Sequence, residues 1–80
     1  MRPPKVTDPH VGQRIAYYMG RDLVGPHHIA HGEILAVGQE EFGFNPVAHR
    51  TTVTIRWEAD ALNEGGEETT VPLHRVYEAA

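Results

Sequence analysis

The sequence predicts a small all-β domain, and three observations carry that prediction. Residues 51–57, Thr-Thr-Val-Thr-Ile-Arg-Trp, alternate strictly: Val53, Ile55 and Trp57 point one way, Thr52, Thr54 and Arg56 the other. Period two in β-branched and aromatic residues is the pattern of a half-buried strand. The other apolar stretches are short and are cut by turn formers such as Gly25-Pro26, Asn45-Pro46 and Gly65-Gly66, the punctuation of strands joined by loops. Few windows keep a helical period. The best of them, 28–41, contains Gly32 and Gly38 and has no N-capping residue before it, which decides for a strand.

In chain order, residues 1–10 carry Pro3, Pro4 and Pro9 without periodicity and read as a flexible, extended N-terminal arm. The domain proper is expected over 11–80. Residues 11–19 form the first expected strand, with Ile15, Tyr17 and Met19 on one face and Arg14, Ala16 and Tyr18 on the other. Gly20 stops it, and 21–26 is a long first loop. A second strand is expected over 28–37, with Gly32 marking a bulge or bend. Residues 39–50 read as a second long connection holding Phe42-Gly43-Phe44-Asn45-Pro46. The strand around Trp57 follows, with its face taken as the core face. Residues 59–66 then turn the chain, because Asn63, Gly65 and Gly66 accept positive φ. Residues 67–71 return as its hairpin partner, and Pro72 ends the ladder. A tight turn over 73–75 and a last short strand over 76–78 complete the chain.

Composition narrows the classes further. Eighty residues make one domain, with 40% apolar residues and therefore a thin core. There is no cysteine, hence no disulfide framework and no thiolate chemistry. Serine is absent too, so the commonest nucleophiles are missing, as is any GxxxxGK phosphate loop. No enzyme and no cofactor are predicted. The longest apolar run, 15–19, is far below the ~20 residues that span a bilayer, and no signal-like apolar region follows Met1. A soluble, cytoplasmic protein without membrane contact is the expectation. The net charge is −4 with neutral histidines, and six protonated imidazoles would turn it to +2. This small acidic, histidine-rich protein should thus hold a basic partner less well as the pH falls.

The layout resembles the SH3-like small barrels, including Tudor- and KOW-type modules. The likeness is carried by Gly12-Gln13-Arg14-Ile15, His31-Gly32-Glu33-Ile34 and Val71-Pro72-Leu73-His74-Arg75-Val76, and it covers roughly residues 11–79. It implies a five-stranded barrel with two long loops and a short turn before the last strand. The plasmid-borne type II dihydrofolate reductase is similar in size and in its glycine-led first strand. That enzyme depends on a Val-Gln-Ile-Tyr stretch before a Pro-led turn, where this chain has Glu68-Thr69-Thr70-Val71 and then Pro72. Its nicotinamide and folate contacts have no counterparts here.

Candidate site residues are few. Phe42 and Phe44 flank Gly43 in a loop closed by Pro46; they either plug the barrel or form an exposed aromatic anchor. Tyr18 and Tyr77, left partly outward by the alternation, extend the anchor reading. Asp60 and Glu64 belong to an acidic hairpin tip with Glu58, Glu67 and Glu68 that suits an Arg/Lys-rich partner. His27, His28 and His31 do not make a metal site, since four residues of strand separate His27 from His31 by about 13 Å. The expected function is a non-enzymatic protein-interaction module, of the kind a phage or plasmid accessory protein uses against a host protein. Two alternatives stay open: a nucleic-acid-binding barrel using Arg14, Arg21, Arg50, Arg56 and Arg75 with aromatic platforms, and a self-assembling homo-oligomeric subunit.

Overall fold

Five strands follow one another as β1 (Arg14–Met19), β2 (His28–Phe42), β3 (Ala48–Trp57), β4 (Glu68–Pro72) and β5 (Val76–Glu78), with one 3-10 turn, Leu73–Arg75, between β4 and β5. The structure, a computed structural model, describes residues 3–19, 28–61 and 64–79, and for Met19 and His28 the backbone alone. The expected first loop, 21–26, and His27 lie outside the described residues. All strand pairs are antiparallel and form one sheet in the order β4-β3-β2-β1-β5.

Registry explains the core. Ile34 lies opposite Ile55, Val53 opposite Val71, and Tyr17 opposite Val76, so the β-branched residues of one face meet across the ladder. Val6, Ile15, Ile34, Val53, Ile55, Val71 and Val76 form one buried cluster, with Tyr17, Trp57 and Leu73 packed against it. The two edge strands supply Val71 and Val76 to the same cluster, so the sheet curls over its concave face. Trp57 sits at the margin of this cluster. It is half-buried, stacks edge-to-face on Tyr17 with centroids 5.6 Å apart, and donates its indole N–H to Thr69 Oγ1 at 3.1 Å.

Three details differ from the sequence reading. The connection expected over 39–50 is mostly strand: β2 runs on to Phe42 and β3 begins at Ala48. The reason is physical. Both faces of this stretch meet solvent, so Gln39, Glu40, Glu41, His49 and Arg50 show no apolar alternation for a pattern search to find. The irregularity in β2 falls between Ile34 and Ala36, not at Gly32; Gly32 is needed because a side chain there would collide with Ile55 and the Arg56 carbonyl. Within the segment read as an arm, Lys5 bridges Tyr77, the Val6 N–H donates to the Val76 carbonyl at 3.0 Å, and the Glu78 N–H donates to the Pro4 carbonyl at 2.9 Å. Pro4, Lys5 and Val6 thereby cover the outer edge of β5, and Val6 enters the core.

The convex face carries an alternating charge ladder. Arg14 of β1 lies opposite Glu33 of β2, Glu33 opposite Arg56 of β3, and Arg56 opposite Glu68 of β4. Arg56 reaches Glu68 at 3.3 Å, and Arg14 takes Glu58 in a two-pronged pair at 2.7 and 3.0 Å. The hydrogen bond from Arg14 holds the Glu58 carboxyl below its ordinary range, and the charges of Arg14 and His31 add to that. A carboxyl lowered by folding contributes stability above its unfolded pKa and loses it as the pH falls through the folded value. Urea midpoints of the parent and Glu58→Gln should therefore differ at about pH 7 and converge as the pH falls through the folded value. Both side chains are near half exposed, so the effect is small and fades with salt. A gap that widens on acidification would refute this assignment.

Candidate functional site

Beyond the last β1 pair, Arg14 with Glu33, the Gly12 N–H donates to the Ile34 carbonyl and the Ile34 N–H to the Gln13 carbonyl. On the other side, β4 pairs with β3 only up to Thr52. While 36–38 pair with 52–54 and lack a neighbour only on the β1 side, residues 39–42 and 48–51 consequently have each other as strand partners and no third strand among the described residues. They make a two-stranded ribbon that projects past the curled sheet, ending in the loop 43–47.

The ribbon is built from cross-strand pairs. Glu40 faces Arg50, Glu41 faces His49, and Phe42 faces Ala48. Arg50 ties its face together: its Nε donates to the Glu40 carboxylate, and its guanidinium lies 5.3 Å from the centre of the Phe42 ring. Such a cation–π contact at an exposed site is worth about 0.5–1 kcal/mol. Gly43 has a φ of 80°, which a glycine adopts without strain and which lets the chain reverse at the tip. Past it, Phe44 stands 96% exposed, with Phe42 and Val47 each 47% exposed beside it. Val37, 44% exposed, lies on the opposite face of β2, across from Val53.

The other candidate residues lie elsewhere. Tyr18 on β1 and Tyr77 on β5 come together, their rings 5.0 Å apart in an edge-to-face contact, with the Lys5 ammonium 6.0 Å above the Tyr77 ring. Ile29, opposite Tyr18 on β2 and 39% exposed, joins them on the convex face. Asp60 and Glu64 are exposed in the β3–β4 connection. That connection leaves the end of β3 opposite the ribbon tip, ten residues of strand away, or about 30 Å. The aromatic pair of the ribbon, the tyrosine pair and the acidic connection are therefore three separate surfaces. The sequence reading named Phe42 and Phe44 but missed Val47 and the Glu40–Arg50 pair. A signal existed: acidic residues before Phe-Gly-Phe-Asn-Pro and basic residues after it are the charge signature of a paired hairpin.

Among the described residues no three His, Asp or Glu side chains are grouped to hold a metal ion, and no helix is long and apolar enough to cross a membrane. Comparison of the chain with known protein families, curated proteins and solved structures found no match.

Proposed function

We propose that this chain is an SH3-like small barrel that works as a non-enzymatic protein-interaction module, with the β2–β3 ribbon as its docking element and Phe44 as its anchor. The observation that carries the reading is the near-complete exposure of Phe44 at the tip of a projecting ribbon. Burying a phenylalanine side chain is worth roughly 1.5–3 kcal/mol, and this ring gains none of that from the chain's own core. A partner's pocket would supply it, with Phe42 and Val47 as flanking contacts. The strand order, the 3-10 turn between β4 and β5, and the sharing of one core by Val71 and Val76 support the barrel. Nucleic acid is the weaker ligand, because Arg14, Arg50 and Arg56 are each bound to a carboxylate of the same chain. Phosphate binding would have to compete with those pairs.

The test separates docking from packing. Phe42→Ser/Phe44→Ser should leave the melting temperature within about 4 °C of the parent, the shift that corresponds to 1 kcal/mol or less at this size. With p-benzoylphenylalanine in place of Phe44, irradiation in the expressing cell should give a discrete protein adduct whose mass identifies the partner. A melting-temperature loss of about 10 °C or more would mean that the rings support the fold. Stable protein without any adduct would remove the docking role.

A further inference from the structure

The ribbon has an edge that nothing described in this chain covers. Along residues 36–42 the outer side of β2 presents seven residues of strand backbone, all exposed except the half-buried Glu40. Long free edges are normally blunted by charged side chains, lysine above all, by proline, by a bulge or by a covering segment. The free edge of β5 is covered in this way by Pro4, Lys5 and Val6, and β4 is short and ends in Pro72. Residues 36–42, Ala-Val-Gly-Gln-Glu-Glu-Phe, contain neither proline nor lysine, and of their two charges Glu40 is neutralised by Arg50 within the ribbon.

Resting on the reading of the ribbon as the docking element, we infer that its partner is a second copy of this chain, with the β2 edges of two copies pairing antiparallel about a two-fold axis at Gln39. Antiparallel pairing sends the two barrels to opposite ends of the paired ribbons, so the bodies do not collide. The register follows from symmetry. Gln39 faces Gln39 of the second copy, Gly38 faces Glu40, Val37 faces Glu41, and Ala36 faces Phe42. No carboxylate stands directly opposite another, which is the arrangement that like charges demand. Glu40 keeps its ion pair with Arg50, and Glu41 keeps His49 opposite it on β3.

The register also gives Phe44 a place. Six residue steps of strand cover about 20 Å, so each tip reaches the base of the other copy's ribbon. There Gly12 and Gln13 bond to Ile34, and Val11 beside them is 69% exposed. The apolar tip of one copy and the exposed Val11 of the other are brought together twice, as a two-fold interface requires. Strand addition supplies the main-chain hydrogen bonds, and the tips supply the apolar burial.

The chain has no cysteine, which makes the test direct. Sedimentation equilibrium of the unmodified protein should show a mass rising from 8.9 kDa towards twice that value below about 0.5 mM, the range of a weak to moderate dimer. Under mild oxidation Gln39→Cys should form a disulfide-linked dimer, whereas Thr51→Cys, at the same height on the other strand, should not. Val37→Glu, which places a glutamate against Glu41 of the other copy, should yield a folded monomer, and Val37→Glu/Glu41→Lys should restore the dimer. Phe44→Ser should weaken association about tenfold or more. A mass that stays at 8.9 kDa, or a Thr51→Cys variant that cross-links as readily as Gln39→Cys, overturns the inference. If the chain is monomeric and the residue-44 photoadduct is a different protein, the second copy is excluded while the docking role of the ribbon stands.

Discussion

Gly32→Val should remove most of the stability of this domain, and Gly32→Ala should already lower its melting temperature by roughly 10–20 °C. Gly32 faces Ile15 on β1 and Trp57 on β3, and a Cβ at this position would lie 2.7 Å from the carbonyl oxygen of Arg56 as well as against the Ile55 side chain. A side chain can rotate away, but the Arg56 carbonyl belongs to the strand ladder, so β2 and β3 must separate. Overpacking of this kind costs about 1–3 kcal/mol and more where backbone has to move. At this size each kcal/mol is worth about 4–8 °C. Gly38→Ala is the control, since its Cβ would meet only Thr52 Oγ1, at 3.6 Å, an ordinary contact. Thermal melts followed by circular dichroism compare the two. Equal melting temperatures would show that β2 and β3 are not in close approach at Gly32.

Ile55→Ala carries the second large effect. Ile55 is fully buried, faces Ile34, itself fully buried, across the ladder, and lies between β2 and β4 in the middle of the sheet. Truncating a buried isoleucine costs about 2–5 kcal/mol, transfer and cavity terms together. For 80 residues the whole stability is on the order of 4–12 kcal/mol. The urea midpoint should therefore fall by about a sixth at least, with partial unfolding in buffer at the upper end of the range. The same change at Val37, which faces Val53 but is 44% exposed, should cost far less, since little of its surface leaves water on folding. If Val37→Ala proved as damaging as Ile55→Ala, the ribbon would have to be packed against something in the folded chain.

These two positions also show how surface and core divide the chain. Ile55 and Val53 were legible as core residues because a strand buried on one face alternates, and that alternation survives in any single sequence. Trp57 continues the same alternation, yet it lies at the margin of the core. Periodicity reports which face a residue occupies but not how far along the strand the sheet still covers that face. Gly32 announced itself as a special position, but the pattern pointed to a bend where the structure has a close approach of two strands. A glycine's need is set by its neighbours in space, and those come from β3.

By itself the sequence determined an all-β chain, the strands through Tyr17, Ile34, Ile55, Val71 and Val76, the stop at Pro72 and the turn at 73–75, because each rests on local chemistry: alternation, missing donors, or φ preference. Phe42 and Phe44 could be named from the sequence, but whether their rings are buried or exposed could not be read there. Whether two rings across a glycine turn inward or outward depends on where the sheet ends, and no local pattern encodes that. Only the tertiary structure decided it, by pairing residues 39–42 with 48–51 beyond the reach of β1 and β4. A ribbon wet on both faces has no hydrophobic period, so its existence, its free edge and the exposure of Phe44 came from strand pairing over distances that composition and spacing do not record.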